Sequence, residues 1–169
     1  LAVTGVSSGG DYSQQFAVSY PNFMDGIVPL VGGSLWGSTY RLRGPLALSI
    51  IESCTGWNNG DYDENPKPCA LNAISGWIPY FYTRDWWEQY LDTPEAYQRW
   101  RVAFGAFYLD VQDTRDLYYR IKSSGAGWLG DTPGFNGDVF AALRSIKAKT
   151  LYIYNRRDEF HTPQHIEAQ

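Results

Sequence analysis

The chain has 169 residues, 44 % hydrophobic and 17 % aromatic, with a net charge of −4, two cysteines and two histidines. That suits ordinary globular material able to bury a core, and the mild acidity, with no basic run of about five residues, speaks against nucleic acid as a partner. No apolar run approaches the roughly 18 residues of a membrane-crossing helix; no membrane partner is expected.

The chain opens on Leu1 to Gly10, LAVTGVSSGG, a short apolar run that breaks into Gly5, Ser7 and the pair Gly9-Gly10. A Gly-x-Ser-x-Gly spacing after a strand is that of a nucleophile elbow, a turn so sharp that the serine is held strained with its hydroxyl exposed. Side chains at Gly5 and Gly9 are expected to collide across that turn. The helix that follows points free N–H groups at the reaction centre, so Ser8 is expected to supply an oxyanion-hole amide. A Gly/Ser-rich loop without function is the bland alternative. A phosphate cradle fits poorly, because no Lys-Ser or Lys-Thr follows, and Gly5, Gly9 and Gly10 lack the spacing of a dinucleotide fingerprint.

Tyr12, Phe16, Ala17 and Tyr20 then recur as the apolar stripe of a helix lying on a sheet, ended by Pro21. Gly26 to Val31 has the size of a buried parallel strand, stopped by Gly32-Gly33. Together these segments make one βαβ unit. All seven tryptophans fall between Trp36 and Trp128. Leu46 to Glu52 and Val111 to Ile121 read as helices, Ala70 to Tyr82 and Pro94 to Leu109 as apolar segments and Ser123 to Gly137 as glycine-rich and irregular, so residues 36–137 read as a large, mostly helical cap inserted between core segments 1–35 and 138–169. The aromatic side chains of that cap are expected to pack its own core and to line a cleft above Ser7. Cys54 and Cys69 bracket a polar loop, and a disulfide and two separate thiols are both compatible with the spacing. The compartment stays open, the cytoplasm being favoured; the lack of an Asn-x-Ser/Thr acceptor disfavours eukaryotic secretion.

Val139 to Ile146 reads as a helix and Thr150 to Tyr154 as a strand, followed by Asn155-Arg156-Arg157-Asp158 and Phe160-His161-Thr162-Pro163. Asp158 therefore falls at the carboxyl end of a parallel strand, the edge where open α/β sheets place their chemistry. A serine on an elbow followed by an acid after a later strand has the chain order of an α/β-hydrolase.

Three stretches carry a closer resemblance. GVSSGGDYSQQFAVSYPNFMDGIVPL resembles the elbow, helix and next strand of the homoserine O-acetyltransferase family; IIESCTGWNNGDY resembles its Trp-Asn-x-Gly-Asp-Tyr segment, and RRDEFHTPQH its acid loop. The resemblance implies an α/β-hydrolase fold cut short, with Ser7 as nucleophile, Asp158 as the acid that orients an imidazole, Ser8 as an oxyanion donor and Tyr80 near substrate. It implies acyl transfer through an acyl-enzyme from an acyl-CoA or ester, with acetyl-CoA as co-substrate, no bound cofactor or metal, and a homodimer built through the cap. Two departures stand out. The family's carboxylate-binding arginine is best matched by Ala73, which favours a hydrolase or another alcohol acceptor. The family's catalytic histidine lies beyond the acid by a strand and a turn, a place that neither His161 nor His165 matches, so the 169 residues read as part of a longer polypeptide, inactive alone. A non-catalytic binding protein of the same fold is the rival from another class.

Overall fold

The computed structural model describes residues 1–35, 38–76, 81–126 and 129–169, with backbone alone at 38–41, 108–109 and 125–126. The chain divides into two compact units, Leu1–Thr39 with Ala126–Gln169, and Tyr40–Gly125.

The first unit is an α/β layer. Strand β1 (Ala2–Val6) leads through Ser7 into helix α1 (Ser8–Ser19), which returns to strand β2 (Gly26–Leu30). The two strands pair in parallel from Ala2 opposite Gly26 to Val6 opposite Leu30. After the second unit come helix α7 (Val139–Arg144), strand β3 (Lys149–Thr150) and helix α8 (Pro163–Glu167), and the sheet order is β1-β2-β3. β3 is shorter than the expected Thr150 to Tyr154, and Pro29 accounts for the gap. Leu151 and Ile153 still donate to Ile27 and Pro29 carbonyls, and Val31 donates to Ile153. Pro29 has no N–H to return, so the ladder is interrupted where it faces β3.

The α1 face that packs on this layer differs from the expected stripe. Tyr12 is 61 % exposed, and Phe16 and Tyr20 are also exposed, whereas Gly10, Ser13, Gln14, Ala17 and Val18 are buried. Helical periodicity allowed both faces. Small and hydrogen-bonded side chains won the inside because the close approach of helix to sheet leaves no room for aromatic rings. Ala17 joins Met24 and Ile27 in one cluster; Val18 joins Leu129, Val139, Ala142 and Leu143 in another. Leu129 thereby brings the chain back into the first unit well before residue 138, where the sequence reading placed the return.

The second unit is helical: α2 (Ser38–Glu52), α3 (Lys67–Ser75), α4 (Arg84–Tyr90), α5 (Pro94–Leu109) and α6 (Thr114–Ala126). α2 runs through Gly44-Pro45, a pair that sequence logic treats as a boundary. Ala47, Ile51, Trp57, Ala70, Ala73, Ile74, Leu117 and Ile121 form its core. Cys54 and Cys69 are joined as a disulfide, which ties the end of α2 to α3. In the Trp-Asn-x-Gly-Asp-Tyr segment, Asn58, Asn59 and Gly60 all have positive φ, and the tight turn they make seats the Trp57 ring 4.6 Å from that of Tyr118. Tyr82 stacks on Trp86 at 4.2 Å, and Trp87 meets Trp100 edge-on at 5.2 Å, so these aromatic residues pack against one another.

Candidate active site

Ser7 is the hinge between β1 and α1, with φ 55° and ψ −122°. An L-residue in that region is strained by about 1–3 kcal/mol, and it persists only where the surroundings over-determine it. Here they do. The Ser7 N–H donates to the Leu30 carbonyl at the end of β2 at 2.9 Å, and its own carbonyl accepts from Gly10 N–H at 2.7 Å. A Cβ on Gly5 would stand 2.2 Å from the Gly9 carbonyl oxygen, so only glycine lets β1 and α1 approach this closely. The collision is one-sided: a Cβ on Gly9 meets nothing within 4 Å, which corrects the expectation that both glycines clash. Gly10 has its own role, since a Cβ there would lie 3.1 Å from Gly32 Cα. The Ser7 side chain is exposed at this turn. Ser8 follows as the first residue of α1, where the helical ladder leaves its amide unused.

The sheet brings a second strained residue beside the first. Val31, directly after β2, has φ 43°, and the chain then turns through Gly32, whose Cβ position would fall 2.1 Å from the Ser7 carbonyl oxygen. In the sequence Gly32-Gly33 reads only as a strand stop. Their second meaning, backbone approach to the serine turn, has no signature in one dimension.

Asp158 lies in the turn after the β3 segment and is half-buried. Its Oδ1 accepts from Phe160 N–H at 2.7 Å and His161 N–H at 2.8 Å, so the loop's own amides fix one carboxylate oxygen and leave the other for a further donor. His161 is 4 % exposed, and its Nδ1 has no hydrogen-bond partner among the described residues. Burial pushes its imidazole below the ordinary value, with Asp158 acting in the opposite sense and His165 reinforcing the fall. His165 turns its Nδ1 to Thr162 Oγ1 at 2.8 Å. Among the described residues neither imidazole is hydrogen-bonded to Ser7. Tyr80 lies outside the described residues. Ala73 is fully buried in the second unit's core; Arg43 is buried, whereas Arg84 is exposed and pairs with Glu88 at 3.7 Å. Among the described residues no group of three or more His, Cys, Asp or Glu is placed to hold a metal ion, and no helix is long and apolar enough to cross a membrane.

A parallel sheet with its crossover helices, an exposed serine at the sharp turn from β1 into α1 and a carboxylate after β3 make the chain part of an α/β-hydrolase fold. No protein-family model matches the sequence. The chain is 25 % identical, over 96 % of its length, to a homoserine O-acetyltransferase from Methanosalsum zhilinae, of which it covers 35 %. Among solved structures it is similar to homoserine O-acetyltransferase from Bacillus anthracis, with a TM-score of 0.88 and 18 % identity, covering 99 % of this chain and 48 % of that one. It is also similar to an acetylester hydrolase from Corynebacterium glutamicum, with a TM-score of 0.80 and 20 % identity, covering 99 % of this chain and 49 % of that one. The 169 residues thus span half or less of the proteins they resemble.

Proposed function

We propose that the full-length protein is a serine-dependent acyl-transfer enzyme working through an acyl-enzyme. The observation that carries the reading is Ser7: exposed, held at positive φ, and braced by Gly5, Leu30 and Gly32 in a turn whose strain returns nothing to stability. In this reading Ser7 Oγ attacks the carbonyl of an ester or thioester, and the Ser8 amide receives the developing oxyanion. An imidazole held by the free oxygen of Asp158 takes the serine proton and returns it to the leaving group. We assign that imidazole to a residue beyond these 169, because His161 is buried and His165 is engaged with Thr162.

The acceptor is an alcohol or water. The similarity to a homoserine O-acetyltransferase supports an alcohol with acetyl-CoA as donor, and the similarity to an acetylester hydrolase supports water. Ala73 favours an acceptor without a carboxylate, since a guanidinium fork is what recognises one bidentately. Acetyl-CoA as donor, the absence of a resident cofactor and a homodimer formed through the helical insertion belong to the same proposal.

The test is turnover by the full-length protein of a p-nitrophenyl ester in water, and of acetyl-CoA with candidate alcohols. Ser7→Ala is expected to fold normally and lose turnover. Activity of that variant within about tenfold of the parent overturns the serine assignment.

A further inference from the structure

We infer that Gln14 is the positioning residue of this site: its buried amide joins the helix behind Ser7 to the loop after β2 and to the segments that flank Asp158. The inference rests on the catalytic reading of Ser7 and Asp158 and adds a residue that touches neither.

Gln14 is 0 % exposed, an unusual place for a side chain that is mostly found at the surface. It lies on α1 about two turns beyond Ser7. All of its hydrogen-bonding capacity is used. Oε1 accepts from Ser34 N–H at 2.7 Å and Ser34 Oγ at 2.6 Å; Nε2 donates to the Tyr152 hydroxyl and to Gln169 Oε1, the latter at 2.8 Å. The backbone donor at Ser34 sets which end of the amide is oxygen, so the orientation has no alternative.

The partners belong to three different segments. Ser34 lies in the loop whose Gly32 presses on the Ser7 carbonyl, and Asp11, one turn earlier on α1, accepts from the Gly33 N–H at 2.6 Å. Tyr152 lies in the β3 segment six residues before Asp158. Gln169 also accepts from Ser34 N–H at 3.0 Å and donates to the His165 carbonyl in α8 at 3.0 Å. His165 bonds Thr162, the residue before α8 in the loop that Asp158 organises. One neutral amide therefore sits where the strand ends carrying the nucleophile and the acid are cross-linked. Neutrality matters, because a buried charge there would need a counter-charge and would bias the imidazole between Ser7 and Asp158.

Positional error of about 1 Å in such a set lowers turnover by roughly a hundredfold without abolishing binding. In the full-length protein, Gln14→Leu is expected to lower kcat by about that factor with KM within about threefold. Gln14→Glu has a sharper signature. A protonated carboxyl reproduces the acceptor and one donor, whereas the ionised form faces Gln169 Oε1 with oxygen against oxygen. Its kcat relative to the parent is therefore expected to fall as pH rises from 6 to 9, burial having raised the carboxyl pKa into that range. A role confined to packing predicts a pH-independent ratio. Tyr152→Phe, which keeps the volume and removes one arm, is expected to lower kcat by less than Gln14→Leu and decides the matter, with Gln14→Glu, should the leucine variant not fold. Labelling of Ser7 by a fluorophosphonate separates the two levels of the argument. A parent protein that is not labelled at Ser7 overturns the catalytic reading and this inference together. A labelled parent with Gln14→Glu and Tyr152→Phe within about twofold of its kcat at every pH overturns the positioning role alone.

Discussion

Gly32 stands against the carbonyl of Ser7 so closely that a methyl group on it would lie 2.1 Å from the oxygen and 3.2 Å from Gly10 Cα. The atoms in the way are backbone, so nothing flexible can yield. Gly32→Ala and Gly5→Ala are each expected to destabilise the protein by about 1–3 kcal/mol, as overpacking does elsewhere. Gly9→Ala, whose Cβ meets open space, is expected to be neutral or slightly stabilising, because alanine is the better helix former. Urea midpoints of the three variants check the ordering; an unchanged midpoint for Gly32→Ala refutes it.

The strain at Ser7 predicts a trade between activity and stability. Ser7→Gly relieves a φ of 55° that Ser7→Ala retains. The glycine variant is therefore expected to be more stable than the alanine variant by about 1 kcal/mol, both being inactive. Equal thermal midpoints would mean that the turn is not strained.

In the proposed mechanism Asp158 has a structural half and a chemical half, which one substitution separates. Asp158→Asn keeps an Oδ1 for the Phe160 and His161 amides but loses the charge that stabilises an imidazolium. The variant is expected to keep its stability and lose about 10²- to 10⁴-fold in kcat. In the full-length protein the Ser7 hydroxyl and the Asp158 carboxylate are expected roughly 7 to 8 Å apart, the span of one imidazole with a hydrogen bond on each side. A crystal structure with that distance above about 12 Å removes the triad.

His161 gives the stability a pH dependence of known sign. Its folded pKa lies below the ordinary 6.5 because of burial, opposed by Asp158. As pH falls through 6.5 the unfolded chain takes up a proton that the folded chain refuses, so stability declines below that pH. His161→Phe is expected to lessen this decline and, by removing a buried nitrogen without a partner, to raise stability at neutral pH by about 1 kcal/mol. Parallel stability curves for parent and variant between pH 5 and 7.5 contradict it.

The Cys54–Cys69 bond closes a sequence separation of 15, for which chain entropy alone predicts about 3 kcal/mol. Reduction, or serine at both positions, is expected to lower the thermal midpoint of the helical unit. Such bonds persist in oxidising compartments, which weighs against the cytoplasmic expectation.

Much of this was legible in one dimension. Gly5, Ser7 and Gly9 announce a strand-to-helix turn because so few residue types tolerate one. Asp158 after a β-branched and aromatic run falls at a strand's carboxyl end wherever that strand pairs. Within residues 40–125 the mostly helical character and the helices ending at Glu52 and covering Thr114 to Ile121 were legible, whereas α4 (Arg84–Tyr90) and the start of α2 before Gly44-Pro45 were not. What pairs with what was not legible. The stripe Tyr12, Phe16, Ala17 and Tyr20 and the face Gly10, Ser13, Gln14, Ala17 and Val18 share Ala17 and the same helical period, and only the closeness of α1 to the sheet chose the second. Gly32 reads as a stop until it meets Ser7, and Gln14 reads as surface until Ser34, Tyr152 and Gln169 converge on it from 20, 138 and 155 residues away. Local chemistry writes turns, caps and periods into the sequence, because they involve neighbours along the chain. Contacts between distant residues depend on packing distances that no single segment contains, so the tertiary structure alone decided them.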